Sequence, residues 1–168
     1  PESLPLFLQN LGSLLVGTKV TTLNVEHNAL IGEHAVLLAE KLQHTTVTTL
    51  YFGYNKLGEK AALFVEKLQT SQVKTLSLPS NNIRKHAVQL PEKLANTKIK
   101  TLDLEWNEIL GEDAVKFAEN LQKTQLKSLS LKHNPIGKYA VALGKKLQKT
   151  KVTTLDLQGC DIENHSIG

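Results

Sequence analysis

A chain of 168 residues is long enough for one domain with a real core, and its 40% hydrophobic and 21% charged residues argue against disorder. The formal net charge of +4 is unevenly spread: residues 1–120 carry 12 basic and 13 acidic side chains, whereas residues 121–155 carry eight lysines and no acid. No apolar run approaches the roughly 20 residues needed to span a bilayer, and no signal-peptide pattern opens the chain. The sequence has no Met, so we expect an excised or processed piece of a longer protein. Cys160 is the only cysteine and cannot close an internal disulfide. With no leader in this fragment, that points toward an intracellular setting.

In chain order, the first element is a helix. In "LPLFLQNLGSLL", Leu8, Leu11 and Leu15 fall on one helical stripe, with Pro5 near the start. Residues 1–19 therefore read as a partial repeat or cap, a helix without its strand. From there one string recurs as "TLNVEHNAL", "TLYFGYNKL", "TLSLPSNNI", "TLDLEWNEI", "SLSLKHNPI" and "TLDLQGCDI". The first leucines, Leu23, Leu50, Leu76, Leu102, Leu129 and Leu155, are spaced by 27, 26, 26, 27 and 26 residues. The extra residue enters at one place, Ile31 or Leu110, which marks a loop. Self-similarity at such a period is the signature of a solenoid.

Each unit divides into a short strand and a helix. Leu23 and Val25, or Leu102 and Leu104, alternate with polar residues at the period of a strand. Ala35, Leu38, Ala39 and Leu42 then fall at i, i+3, i+4 and i+7 of a helix, as do Ala61, Phe64, Val65 and Leu68, and Ala114, Phe117, Ala118 and Leu121. Glu40-Lys41, Glu66-Lys67 and Glu92-Lys93 lie opposite, on the solvated face. Pro91 occupies a mid-helix slot, so the third helix is expected to kink or start late. Between strand and helix stand Asn28, Asn55, Asn81, Asn107 and Asn134, with Cys160 in the sixth slot; a short amide there can satisfy neighbouring backbone groups and build a ladder. The units parse as five full repeats over 20–151 and a truncated sixth over 152–168.

The pattern L-x-L-x-x-N-x-I/L-G followed by A-x-x-L/F-A-x-x-L resembles leucine-rich repeats, specifically the ribonuclease-inhibitor-like subclass. The resemblance implies an α/β fold: a right-handed horseshoe with a parallel sheet on the concave side and helices on the convex side. The repeats are shorter than is usual for that subclass. The slot held by Gly32, Gly58, Gly111 and Gly137 is Arg84 in the third repeat and Glu163 in the sixth.

On such a fold the concave positions are free of packing duty. They include Asn24, Tyr51, Ser77, Asp103, Ser130 and Asp156, then Glu26, Gly53, Pro79, Glu105, Lys132 and Gln158, then His27, Tyr54, Ser80, Trp106, His133 and Gly159. Three of the chain's four Trp and Tyr residues fall in these columns. Tyr51, Tyr54, Asp103, Glu105 and Trp106, with Glu26, His27, Lys132 and His133 around them, form the candidate partner-binding surface, because rigid aromatics beside charged groups make protein-recognition hot spots. The alternative for Trp106 is that it folds down over the Asn ladder. No residue pattern points to catalysis, to a metal or to another cofactor: the six histidines show no ligand spacing and no phosphate loop or nucleophile motif occurs. The lysine-rich end lacks Arg and clustered aromatics, which disfavours nucleic acid, and it reads as a solvated convex face rather than an anionic-lipid site. The expected function is non-catalytic protein binding on the concave face. The alternative is a regulatory or sensor segment of a larger receptor, a GTPase regulator or a host-directed bacterial effector.

Overall fold

The computed structural model describes residues 3–162. Helix α1 (Ser3–Leu15) is followed by strands β1 (Thr22–Asn24), β2 (Thr49–Tyr51), β3 (Thr75–Ser77), β4 (Thr101–Asp103), β5 (Ser128–Ser130) and β6 (Thr154–Asp156). Between them run helices α2 (Gly32–Lys41), α3 (Ala61–Lys67), α4 (Leu90–Leu94), α5 (Gly111–Glu119) and α6 (Ala140–Leu147). The strands form one parallel sheet in sequence order, and equivalent leucines pair in register: Leu23 with Leu50, then Leu76, Leu102, Leu129 and Leu155. Strands stack about 4.8 Å apart, whereas packed helices need roughly 8–10 Å. The stack must therefore splay on its helical side, which leaves the sheet on the inner curve. The end of the sixth unit, with the Glu163 slot, lies outside the described residues, as do Pro1 and Glu2.

The core lies between the sheet and the helices. Ala35, Leu38, Ala39, Leu42, Ala61, Phe64 and Val65 are all fully buried, as their helical spacing requires. They meet the inward residues of the strands, among them Leu50, Phe52, Leu76 and Leu78. The rings of Phe52 and Phe64 pack at 5.0 Å across that seam.

Repeat length decides how each helix begins. In the two longer units the extra residue, Ile31 or Leu110, is extended and exposed, and the α-helix starts directly at Gly32 or Gly111. The next repeat's Lys60 or Tyr139 fills the space where a Cβ on that glycine would stand. The shorter units enter their helices through 3-10 turns at Gly58–Lys60, Arg84–Gln89 and Gly137–Tyr139. The third helix starts late: Pro91 sits in the first turn of α4, where its missing amide costs nothing.

The turns between strand and helix are joined by the asparagines. Asn107 Oδ1 accepts from the amides of Asn81 and Ile83 at 2.9 and 3.2 Å, and its Nδ2 donates to the carbonyls of Leu78 and Glu105 at 2.8 and 3.2 Å. Asn55 treats Asn28 and Leu30 alike, and Asn134 does the same for Asn107 and Ile109. Cys160 supplies only half of this set. Its Sγ donates to the Leu131 carbonyl at 3.0 Å, the equivalent of the Asn134 bond to Leu104. With no side-chain oxygen at position 160, the amides of Asn134 and Ile136 turn back to Leu131 and Asn134 of their own loop.

A second repeated device sits at the end of each helix. Thr18, Thr45, Ser71, Thr97, Thr124 and Thr150 each donate a hydroxyl hydrogen bond to the carbonyl three residues earlier and accept one from the amide two residues later. On the outer face, Lys67 pairs with Glu40, Lys93 with Glu66 and Lys146 with Glu119, so the charged helix surface is stitched from one repeat to the next. Exposed pairs of this kind contribute at most about 1 kcal/mol each.

Two substitutions test the ladder. Asn107→Ala strands buried amides and carbonyls and should lower stability by about 3 kcal/mol or more in urea unfolding. Cys160→Asn restores the missing acceptor and should raise it by about 1 kcal/mol.

Candidate functional site

The strands are only three residues long, but parallel pairing continues beyond them. His27, Tyr54, Ser80, Trp106 and His133 each donate an amide hydrogen bond to the following repeat, at Gly53, Pro79, Glu105, Lys132 and Gln158 respectively. All of them have a left-handed backbone, with φ of 57°, 55°, 52°, 55° and 54°, and Gly159 completes the column at 67°. Bulky L-residues avoid this region, at about 1 kcal/mol or more each. Glycine is the strain-free choice, as position 159 demonstrates. Five side chains are nevertheless presented there, on the open rim of the sheet.

Four of the five are rings, and they stack in pairs. His27 lies on Tyr54 with centroids 4.1 Å apart and planes 10° apart, and Trp106 lies on His133 at 4.3 Å and 10°. The His133 ring in turn covers Gly159, where a Cβ would collide with it. Trp106 keeps 53% of its surface in solvent, Tyr54 46% and Tyr51 37%. Asn55, Asn81, Asn107 and Asn134 beneath are buried all the same, with Asn107 and Asn81 fully enclosed.

The acids of the surface have local duties. Asp103 Oδ1 accepts from the Glu105 amide at 3.0 Å, closing a small turn, and its Oδ2 accepts from the Ser77 hydroxyl at 3.3 Å. Asn24 and Asp156 close the same turn in the first and sixth repeats. Glu105 Oε1 lies 3.9 Å from His133 Nε2. Glu26 reaches over Gly53, where a Cβ would come within 2.7 Å of its Oε1 and 2.6 Å of Pro79 Cγ. Lys132 pairs with Asp156 at 3.5 Å. The nine residues singled out from the sequence thus share one face but gather in two groups. Glu26, His27, Tyr51 and Tyr54 stand on one side; Asp103, Glu105, Trp106, Lys132 and His133 stand on the other. Buried Ser77 and Pro79 and half-buried Ser80 separate them.

Sequence reasoning placed the columns but missed the ring pairs, the Asx-type turns and the hydroxyl clamps at the helix ends. The clamps had a visible signal, a Thr or Ser recurring at the repeat period. The pairs had one too, in rings occupying adjacent slots of one column.

Among the described residues, no group of three or more His, Cys, Asp and Glu side chains is gathered to hold a metal ion. No helix among them is long and apolar enough to cross a membrane. Clefts are found on the helical side, one of them lined by Val88, Pro91, Ala95 and Gln122. Burial pushes the Cys160 thiol above its ordinary pKa.

Parallel strands in register, one per repeat, with an amide ladder behind them and helices outside, define a leucine-rich-repeat solenoid. Comparison with protein families agrees: residues 95–118 and 148–165 match the leucine-rich-repeat model. Among solved structures, actin-binding site 2 of leiomodin-1 is similar over 93% of this chain and 78% of its own, with a TM-score of 0.55 and 19% sequence identity. That likeness is one of fold. Comparison with the curated proteins finds no match.

The raised thiol pKa has a definite sign. The folded protein holds the Cys160 proton in a pH range where the unfolded chain releases it. The associated stability is therefore complete below the ordinary thiol pKa of about 8.5 and lost as pH climbs above it. Wild type minus Cys160→Ala stability, measured from pH 7 to pH 10, should shrink with rising pH, and iodoacetamide should label the native thiol far more slowly than the urea-unfolded one.

Proposed function

We propose that this solenoid is a non-catalytic module that binds a protein partner across the inner sheet face. Tyr51, Tyr54 and Trp106 act as anchors, and Asp103, Glu105, Glu26, His27, Lys132 and His133 form the surrounding rim. One observation carries the reading: large, half-exposed rings are held on a backbone conformation that glycine would adopt without strain. Strain kept at a fixed place is evidence for a use of that place. The rings rest on a scaffold whose backbone groups are paired from repeat to repeat, so little order is lost when a partner docks. The sheet face offers a broad surface rather than an enclosed pocket, which favours a macromolecule over a small substrate.

Within the leucine-rich repeats we assign the chain to the ribonuclease-inhibitor-like type, on the strength of a helix in each complete repeat. An intracellular setting, where a lone thiol stays reduced, belongs to the same proposal.

The test is affinity capture with three proteins: wild type, Tyr51→Ala/Trp106→Ala, and the outer-face control Lys116→Ala/Gln122→Ala. Loss of a hot-spot anchor costs about 2 kcal/mol, roughly thirty-fold in Kd. The inner-face variant should lose the partner to that extent, and the control should retain it. The melting temperature of Trp106→Ala should stay close to wild type, because its ring contributes about 1 kcal/mol of stacking and little burial. Loss in the outer-face variant with retention in the inner-face one would reverse the assignment.

A further inference from the structure

The ring column has a missing rung. Its successive positions lie one strand apart, about 4.8 Å, because each donates its amide to the next repeat. His27 stacks on one face of Tyr54, so the other face of Tyr54 looks along the column toward Ser80. His133 stacks on one face of Trp106, so the free indole face looks back toward Ser80 from the opposite side. Two strand spacings, about 10 Å, therefore separate Tyr54 from Trp106. A planar group over Ser80 would lie about 5 Å from each, close to the 4.1 and 4.3 Å of the pairs already present. Strand spacing thus leaves a gap in the column over Ser80, a slot about one planar group thick.

The charges around the slot select its occupant. Glu26 lies over Gly53 beside Tyr54; Asp103, whose oxygens accept from the Ser77 hydroxyl and the Glu105 amide, and Glu105, 3.9 Å from His133, belong to the repeat of Trp106. Two cations of the neighbouring loops are already neutralised, Arg84 by Glu108 at 3.0 Å and Lys132 by Asp156 at 3.5 Å. Two π-faces beside acids attract a flat cation. Among side chains that is the guanidinium of arginine, which stacks on aromatic faces and forks its N–H groups onto carboxylates. Lysine has the charge without the plane, and phenylalanine the plane without the charge.

We propose that the slot between Tyr54 and Trp106 receives an arginine side chain of the protein partner, sandwiched over Ser80. This deepens the inner-face reading above and rests on it.

Trp106 is the only tryptophan in the chain, so its emission reports the slot directly. The protein is titrated with N-acetyl-arginine amide, N-acetyl-lysine amide and N-acetyl-phenylalanine amide, monitoring indole fluorescence. The expected result is a saturable change with the arginine compound and binding at least roughly tenfold weaker for the other two. Ser80→Tyr fills the rung and should abolish saturation at an unchanged melting temperature, since Tyr54 already occupies the equivalent left-handed position. Tyr54→Ala, which removes one wall, should weaken the arginine response several-fold.

A linear, equal response to all three compounds would overturn the proposal. So would preference for the phenylalanine compound, or saturation that survives both substitutions. The wider reading is scored separately. If arginine fails here while Tyr51→Ala/Trp106→Ala still loses the captured partner, the slot assignment falls and inner-face binding stands. If arginine saturates while capture ignores the inner face, the slot stands as a site of its own and the broad interface falls.

Discussion

A backbone that leaves a strand and turns toward a helix exposes amides and carbonyls that no regular element will pair. In this protein they would be buried, and each left unpaired would cost about 1–3 kcal/mol. The carboxamide of asparagine is the short side chain that offers a donor and an acceptor together. Asn55, Asn81, Asn107 and Asn134 spend both halves on the turns around them. The inward leucines, the in-register strands and the close-packed helices all presuppose that these turns are satisfied. Cys160 shows the rule by supplying the donor half alone, after which the turn above it reorganises its own hydrogen bonds.

The open face follows from the same constraint. To send the asparagine inward, the residue before it must reverse the chain, and it does so with a left-handed backbone at every repeat. Its side chain is thereby thrown onto the rim, held by ladder hydrogen bonds to the next strand. Ring pairs such as Trp106 with His133 arise because adjacent rims are about one strand spacing apart, close to the thickness of two aromatic groups in contact. A structural device for closing a turn has become a rack for side chains.

Much of this was legible in the sequence, and the limits are instructive. The period, the strand alternation and the helical stripe each report which side chains are buried, and burial follows from spacing alone. Pro91 announced a late helix because its effect on the backbone is local. The amide column could be read because one residue type recurred in one slot. Ring stacking was only half legible: the rings occupy adjacent slots of one column, but their contact depends on the backbone angle at His27, Tyr54, Trp106 and His133, which no composition rule assigns to such residues. The division of the candidate residues into two groups was hidden for a similar reason. Asp103 looks like a free acid in the sequence, yet one oxygen closes a turn and the other meets Ser77.

The carboxamides also give the stack a polarity. Asn55, Asn107 and Asn134 each reach back to accept amides of the preceding unit, and none reaches forward. A unit's own corner is thus finished by its successor. During synthesis, each corner closed by a following asparagine must wait for the next strand to emerge before it can set. Fraying inherits the same asymmetry: loss of a unit that carries the carboxamide undoes the corner beneath it, whereas loss of the first leaves the corners beyond it closed.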